Sequence, residues 1–232
     1  MRRLLARLRS QRGFTIVEVL VAASVGSVVM IAIFSLLDTS LKQSTSVNAR
    51  IDSTQRGRVA MEIMTRELRS QVCFSPNGGV TPAVSLTYAD PYKVVFYGFS
   101  GTTSFRPDRR TLFWDTNSNS LQETVEPGVG TPVTSFGTGT TRTIATNIKP
   151  PPAGAVSGPV FQYYRVSGTP LATTPLSAAN LPLVGLIKIR FRTDTGVVGN
   201  SAGNNFTSYE SQVFVRTADP NGLAGSTDPD CT

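Results

Sequence analysis

The stretch Arg12-Gly13-Phe14-Thr15-Ile16-Val17-Glu18-Val19-Leu20-Val21-Ala22 organises the whole chain. A basic leader ends in a single glycine. A phenylalanine then opens a long apolar run with one acid near its start. Phe14 to Leu37 is twenty-four residues in which Glu18 is the sole ionisable side chain. As a helix rising ~1.5 Å per residue, the run spans ~36 Å, enough to cross a hydrocarbon core of ~30 Å. Ser24, Gly26, Ser27 and Ser35 are small and allow close helix contact. The leader carries Arg2, Arg3, Arg7, Arg9 and Arg12 and no acid, so the positive-inside rule predicts a cytoplasmic N-terminus and an exported remainder.

Gly13, Phe14 and Glu18, set between a basic leader and an apolar run, resemble the class III signal of type IV prepilins and pseudopilins. The resemblance covers about the first quarter of the chain. It implies that a membrane peptidase cuts between Gly13 and Phe14 and N-methylates Phe14. The apolar run would then stay in the mature protein, unlike a secretory signal peptide, which is cut after its apolar core. An acid inside an apolar span costs up to roughly 3 kcal/mol near the bilayer centre and needs a reason. Glu18 has two readings. It lies about one turn into the run and can snorkel to the headgroups. Alternatively, as the resemblance implies, it pairs with the free Phe14 amine of a neighbouring subunit during filament assembly, where low dielectric strengthens the attraction.

Composition sets bounds on the rest. The 232 residues hold one membrane helix and one modest globular domain. The net charge of +7 rests mainly on the leader; without its five arginines, 17 basic residues face 15 acidic ones, a net charge of +2. The basic balance is therefore a poor argument for nucleic-acid binding. There is no histidine, which removes His-based acid–base chemistry and His-ligated metal sites. The two cysteines are Cys73 and Cys231. An exported domain permits a bond between them, and closing so long a loop is worth up to roughly 5 kcal/mol in the chain-entropy model. Two free thiols are the alternative. Many pilins close a C-terminal loop this way, but over a far shorter spacing.

From Asp38 to Val72 there is no proline, and Gly57 is the one glycine. Leu41, Val47, Ile51, Val59, Ile63, Met64, Leu68 and Val72 suit one helical stripe, with charged residues on the remaining surface. The helix is thus expected to continue through residue 72 and to end before Pro76-Asn77-Gly78-Gly79. Strand signals follow at 84–88, 93–99, 111–115 and 121–125, the last two flanking a hairpin turn at 115–120. Residues 127–158, rich in Gly, Pro, Thr and Ser, read as surface loop with one short strand at 142–148. Further strands are expected at 160–166, 186–192 and 212–216. In the clearest of these, Ile187, Ile189 and Phe191 alternate with Leu186, Lys188, Arg190 and Arg192, giving an apolar face to cover the helix. The last two strands loosely resemble the end of minor pilins of the PilW type and of J-type pseudopilins.

Asp115, Asn117, Asn119, Glu123 and Glu126 fit positions of a calcium-loop template, but Ser120 replaces its turn glycine and strands replace its helices. A hairpin turn is favoured there. Arg106, Arg109 and Arg110 near Phe105 and Trp114 are candidates for a DNA-binding patch, or are solvated loop charges. No phosphate-cradling glycine loop, zinc cluster or serine elbow is present, and no cofactor is implied.

The expected fold class is α+β, a pilin-like lollipop: a long N-terminal helix packed on an antiparallel β-sheet head. Its parts are a cleaved leader (1–13), a transmembrane helix (14–37), an amphipathic continuation (38–72) and a β-rich head (73–232). The resemblance implies a structural subunit, not an enzyme, that enters a type IV pilus or a type II secretion-like filament. Its partners would be other pilin or pseudopilin subunits, the prepilin peptidase, the cytoplasmic membrane and the assembly platform. Ser35 stands where many major pilins carry proline, which favours a minor subunit or pseudopilin. The rival reading is a membrane-tethered extracytoplasmic binding domain that does not polymerise.

Overall fold

The computed structural model describes residues 14–75, 84–99, 106–153, 156–171, 175–195 and 206–215. One helix, α1 (Ile16–Arg69), runs for 54 residues. Thr15 starts it: its hydroxyl accepts the Glu18 backbone N–H at 3.3 Å, as an N-cap does. By packing, the chain divides after Asn48. The first unit holds α1 as far as Asn48, its apolar segment included. The second holds the rest of α1 and every strand.

The helix stops three residues before the expected end. Ser70 still bonds back to Arg66 and Glu67, but Gln71 bridges to Gly98, and Val72 donates to the Tyr97 carbonyl at 2.9 Å. A neighbouring strand thus takes over the backbone groups that would have continued the helix. The expected Pro-Asn-Gly-Gly stop lies outside the described residues.

The head has two main antiparallel sheets. The first orders β1 (Leu86–Ala89), β2 (Lys93–Phe99), β3 (Pro107–Asp115), β4 (Ser120–Glu126) and β7 (Thr140–Ala145) as β1-β2-β3-β4-β7. The second orders β11 (Phe161–Tyr164), β12 (Leu186–Asp194) and β13 (Phe206–Phe214), with the short β8 (Ile148–Lys149) also on β12. Two small hairpins complete the set: β5 (Gly128–Gly130) with β6 (Val133–Phe136), and β9 (Pro152–Ala153) with β10 (Val156–Ser157). The expected surface loop at 127–158 is therefore mostly paired backbone. Its composition hid strands too short to show a period of two. The final strand also begins at Phe206 rather than 212. Its polar residues, Thr207, Ser208 and Ser211, pair in register with β12 although they carry no apolar pattern.

Strand β12 alternates as expected, with Ile187, Ile189 and Phe191 buried and Leu186, Lys188, Arg190 and Arg192 partly exposed. Its inner residues join Phe96, Leu112, Leu121, Phe161, Val213 and the helix residues Ala60, Met64 and Leu68 in one core. Tyr163 is fully buried there. Its hydroxyl donates to the Asp90 carbonyl at 2.9 Å, and burial pushes its ionisation well above the usual phenol range.

The helix face that meets the head is not the expected apolar stripe. The buried positions are Ser53, Gly57, Ala60, Met64, Glu67 and Leu68, while Leu41, Val47, Ile51 and Val59 are exposed. Only Met64 and Leu68 belong to both sets. The reason is steric. The second sheet presents two stacked rings, Phe191 and Tyr209, with centroids 5.4 Å apart. A helix approaching that surface needs small side chains at the crossing. Ser53 meets Thr193 hydroxyl to hydroxyl at 3.0 Å, and the Tyr209 hydroxyl donates to the Thr54 carbonyl at 2.9 Å.

Candidate functional site

The first candidate is the start of α1. Gly13 lies outside the described residues. Phe14 is the first described residue and is 81% exposed. Glu18 sits at the third position of the helix, where an acid complements the positive end of the helix dipole. The Thr15-Ile16-Val17-Glu18 spacing is also that of a capping box, a local signal that the sequence reading missed. Glu18 thus has a helix-starting role in addition to any pairing between chains.

From Ile16 to Leu37 the large apolar side chains stand exposed. This segment is long and apolar enough to cross a membrane. Its serines suit an apolar medium: Ser24 and Ser27 donate to the carbonyls three residues back, Val21 and Ser24, both at 2.8 Å. Neither hydroxyl is left needing water. Charge returns at Asp38, which pairs with Lys42 one turn later at 2.6 Å.

The second candidate is an ionic cluster where the end of α1 meets the first sheet. Glu67 of α1, Arg110 of β3, Glu123 of β4 and Arg142 of β7 converge there. Arg110 Nη1 donates to Glu67 Oε2 and, at 3.4 Å, to Glu123 Oε1; Nη2 donates to the Phe99 carbonyl at 3.3 Å. Arg142 holds the other Glu123 oxygen through Nε at 2.6 Å. Glu123 has no exposed surface. Asp108 stands 4.0 Å from Arg110, and Arg66 reaches Glu67 at 3.4 Å from the exposed side, so three carboxylates share the buried Arg110 and two half-exposed arginines. The cluster ties the helix end to three strands by charge rather than by apolar contact.

The other sequence candidates are separated by the fold. Asp115 serves the β3–β4 turn. It accepts from the Ser118 hydroxyl at 2.5 Å and the Asn117 backbone at 3.0 Å, and these bonds, the hydroxyl foremost, lower its pKa. Asn119 is in the left-handed region, with φ 48°, as such a turn requires. Glu123 points into the ionic cluster and Glu126 pairs with Arg109, so the five template residues do not converge. Among the described residues no group of three or more Asp, Glu, Cys or His is placed to hold a metal. The three arginines diverge as well. Arg110 is buried with Glu67. Arg109 lies on Glu126 and over Phe136, and Arg106 bonds Thr131. Trp114 donates to the Ile148 carbonyl at 3.0 Å. Phe105 lies outside the described residues. Of the three arginines, Arg110 is thus withdrawn from the surface, and Arg109 is engaged by Glu126. Cys73 is not a free thiol, and Cys231 lies outside the described residues.

Arg109 grips Glu126 with two bonds of 2.6 Å. The hydrogen bonds from Arg109 hold the Glu126 carboxyl below its usual pKa, against a smaller opposing effect of burial. A depressed folded pKa contributes stability above the unfolded carboxylate range and loses it as pH falls through the folded value. Glu126→Gln should therefore lower thermal stability at pH 7, by an amount that shrinks as pH falls from 7 toward 3. With Arg109 41% exposed, solvent screening limits the difference to ~0.2–1 kcal/mol. Melts of both proteins across that range check the sign; a difference that grows toward acid would refute it.

A family model described as the prokaryotic N-terminal methylation motif matches residues 8–34. A search of curated proteins finds no match. The matched segment contains Gly13, Phe14, Thr15 and Glu18 and ends within the exposed apolar helix surface.

Proposed function

Because its N-terminal segment is of the type IV prepilin and pseudopilin class, we propose that the chain works as a minor pilin or pseudopilin subunit. It is held in the cytoplasmic membrane by α1 with its head exported, and it enters a type IV pilus or secretion-like filament through that helix. The observation that carries this reading is the apolar surface from Ile16 to Leu37, exposed along its length and lying largely within the methylation motif. Such a surface needs lipid before assembly and other helices after it. The five leader arginines orient the chain, the peptidase cuts before Phe14, and the new amine pairs with Glu18 of a neighbour. The motif points to a structural protein, so the head serves contact rather than catalysis. Cys73 and Cys231, the two cysteines of the chain, are proposed to bond, in line with Cys73 not being a free thiol.

Intact mass of the exported protein tests this. Residues 1–13 should be gone, one methyl group added and Phe14 first, and the unreduced form should lack two hydrogens. A bulky residue at Gly13 should leave the leader attached. Glu18→Ala should be processed normally yet be scarce in sheared filaments. Full incorporation of that variant would defeat charge pairing, and an uncut leader in the native protein would defeat the reading as a whole.

A further inference from the structure

Among the described residues, strand β13 leaves one edge open. It pairs with β12 along all nine residues, and no other strand pairs with it among the described residues. Natural sheet edges are commonly blunted by charge, proline or a bulge. This one holds a single charge, Glu210, and no proline. Beside it lies a cleft of ≈ 500 Å³, walled by Arg58, Met61, Glu62, Arg66 and Arg69 of α1 and by Tyr209 of β13. Three arginines face one acid. Arg66 has a loose 3.4 Å contact with Glu67, while Arg58 and Arg69 make no ion pair among the described residues.

The geometry points to this cleft as a docking site for an extended, acid-bearing segment of a second polypeptide, its backbone added to the open edge of β13 and its carboxylates held by Arg58 and Arg69. A strand edge recognises extended backbone, and the alternate side chains of the added strand supply specificity. Arg58 and Arg69 lie eleven positions apart, ~16 Å along the helix. A strand of about five residues at ~3.4 Å each covers that distance. Acids at its two ends would meet the two arginines, and a neutral or basic residue between them would meet Glu62. Met61 and Tyr209 give it an apolar floor. The inference concerns β13 and the half of α1 that packs on the head, and does not rest on assembly through the apolar Ile16–Leu37 segment.

The test uses the full chain in detergent micelles and fluorescein-labelled seven-residue peptides. One peptide carries Glu at positions 2 and 6, the ends of a five-residue stretch, with Val and Thr elsewhere; a second carries Lys for Glu; a third is the acidic peptide with alternate backbone amides methylated. The acidic peptide should bind, and the Lys and methylated forms should bind at least about tenfold more weakly. Arg58→Glu with Arg69→Glu, both exposed positions, should lose that binding while the melting curve stays in place. Equal affinity for all three peptides, or binding unchanged by the charge reversal, would overturn the proposal. Displacement of the acidic peptide by monomeric short-chain phosphatidylglycerol, with the methylated peptide binding as well as the unmethylated one, would also overturn it and assign the arginines to lipid headgroups.

Discussion

Arg110→Met should destabilise the head by about 3–5 kcal/mol, the range for removing one partner of a buried ion pair. The methionine fills much of the same space, so a cavity is not the cause. The cause is charge: Glu67, Glu123 and Asp108 would be left with Arg142 and the loosely held Arg66, which are 54% and 64% exposed. At roughly 2–4 °C per kcal/mol for a domain of this size, Tm should fall by about 6–20 °C. Replacing Glu67, Asp108, Arg110 and Glu123 together with apolar residues of similar volume should recover most of the loss, since desolvating the charges opposes folding in the native protein. Thermal melts of the full chain in detergent, read by circular dichroism, decide the matter. A single variant melting within about 1 kcal/mol of the native protein would mean that water reaches the cluster freely.

That cluster also shows where sequence reading stops. Glu67, Arg110 and Glu123 look like surface charges when taken singly, because helix and strand periods mark them only as interruptions. Their burial depends on three strands and a helix end meeting, which no local window contains. The apolar run at 14–37 was legible for the opposite reason. Its length and its freedom from charge are local properties, and a bilayer sets the standard against which they are read. The alternation in β12 was legible too, since one face of a sheet over a core enforces a period of two. The helix stripe misled because hydrophobicity was taken as the mark of contact. At this crossing the partner brings the bulk, and the helix contributes Ser53, Gly57 and Ala60. Leu41, Val47, Ile51 and Val59, left outside, extend the exposed apolar surface of α1 past Leu37.

Gly57 gives the second large effect, and its sign should reverse with its partner. A Cβ at Gly57 would stand 2.2 Å from Cε2 and 2.3 Å from Cζ of Tyr209, closer than atoms can pack. The ring is not free to swing, being stacked on Phe191 and tied by its hydroxyl to the Thr54 carbonyl. Alanine favours a helix interior over glycine by about 1 kcal/mol. Against that stand overpacking of about 1–3 kcal/mol and a strained or lost hydrogen bond of about 1 kcal/mol. Gly57→Ala should therefore be destabilising, and Gly57→Leu should lose more than about 3 kcal/mol, because three further carbons must enter the same gap. In a Tyr209→Leu background the obstacle is gone and propensity alone remains. There Gly57→Ala should raise stability by up to about 1 kcal/mol relative to Tyr209→Leu alone. A double-mutant cycle of thermal melts reads the inversion directly. If Gly57→Ala shifts stability by the same amount and sign in both backgrounds, helix and sheet are not in contact at this crossing, and the small-residue face of α1 has no role in docking the head.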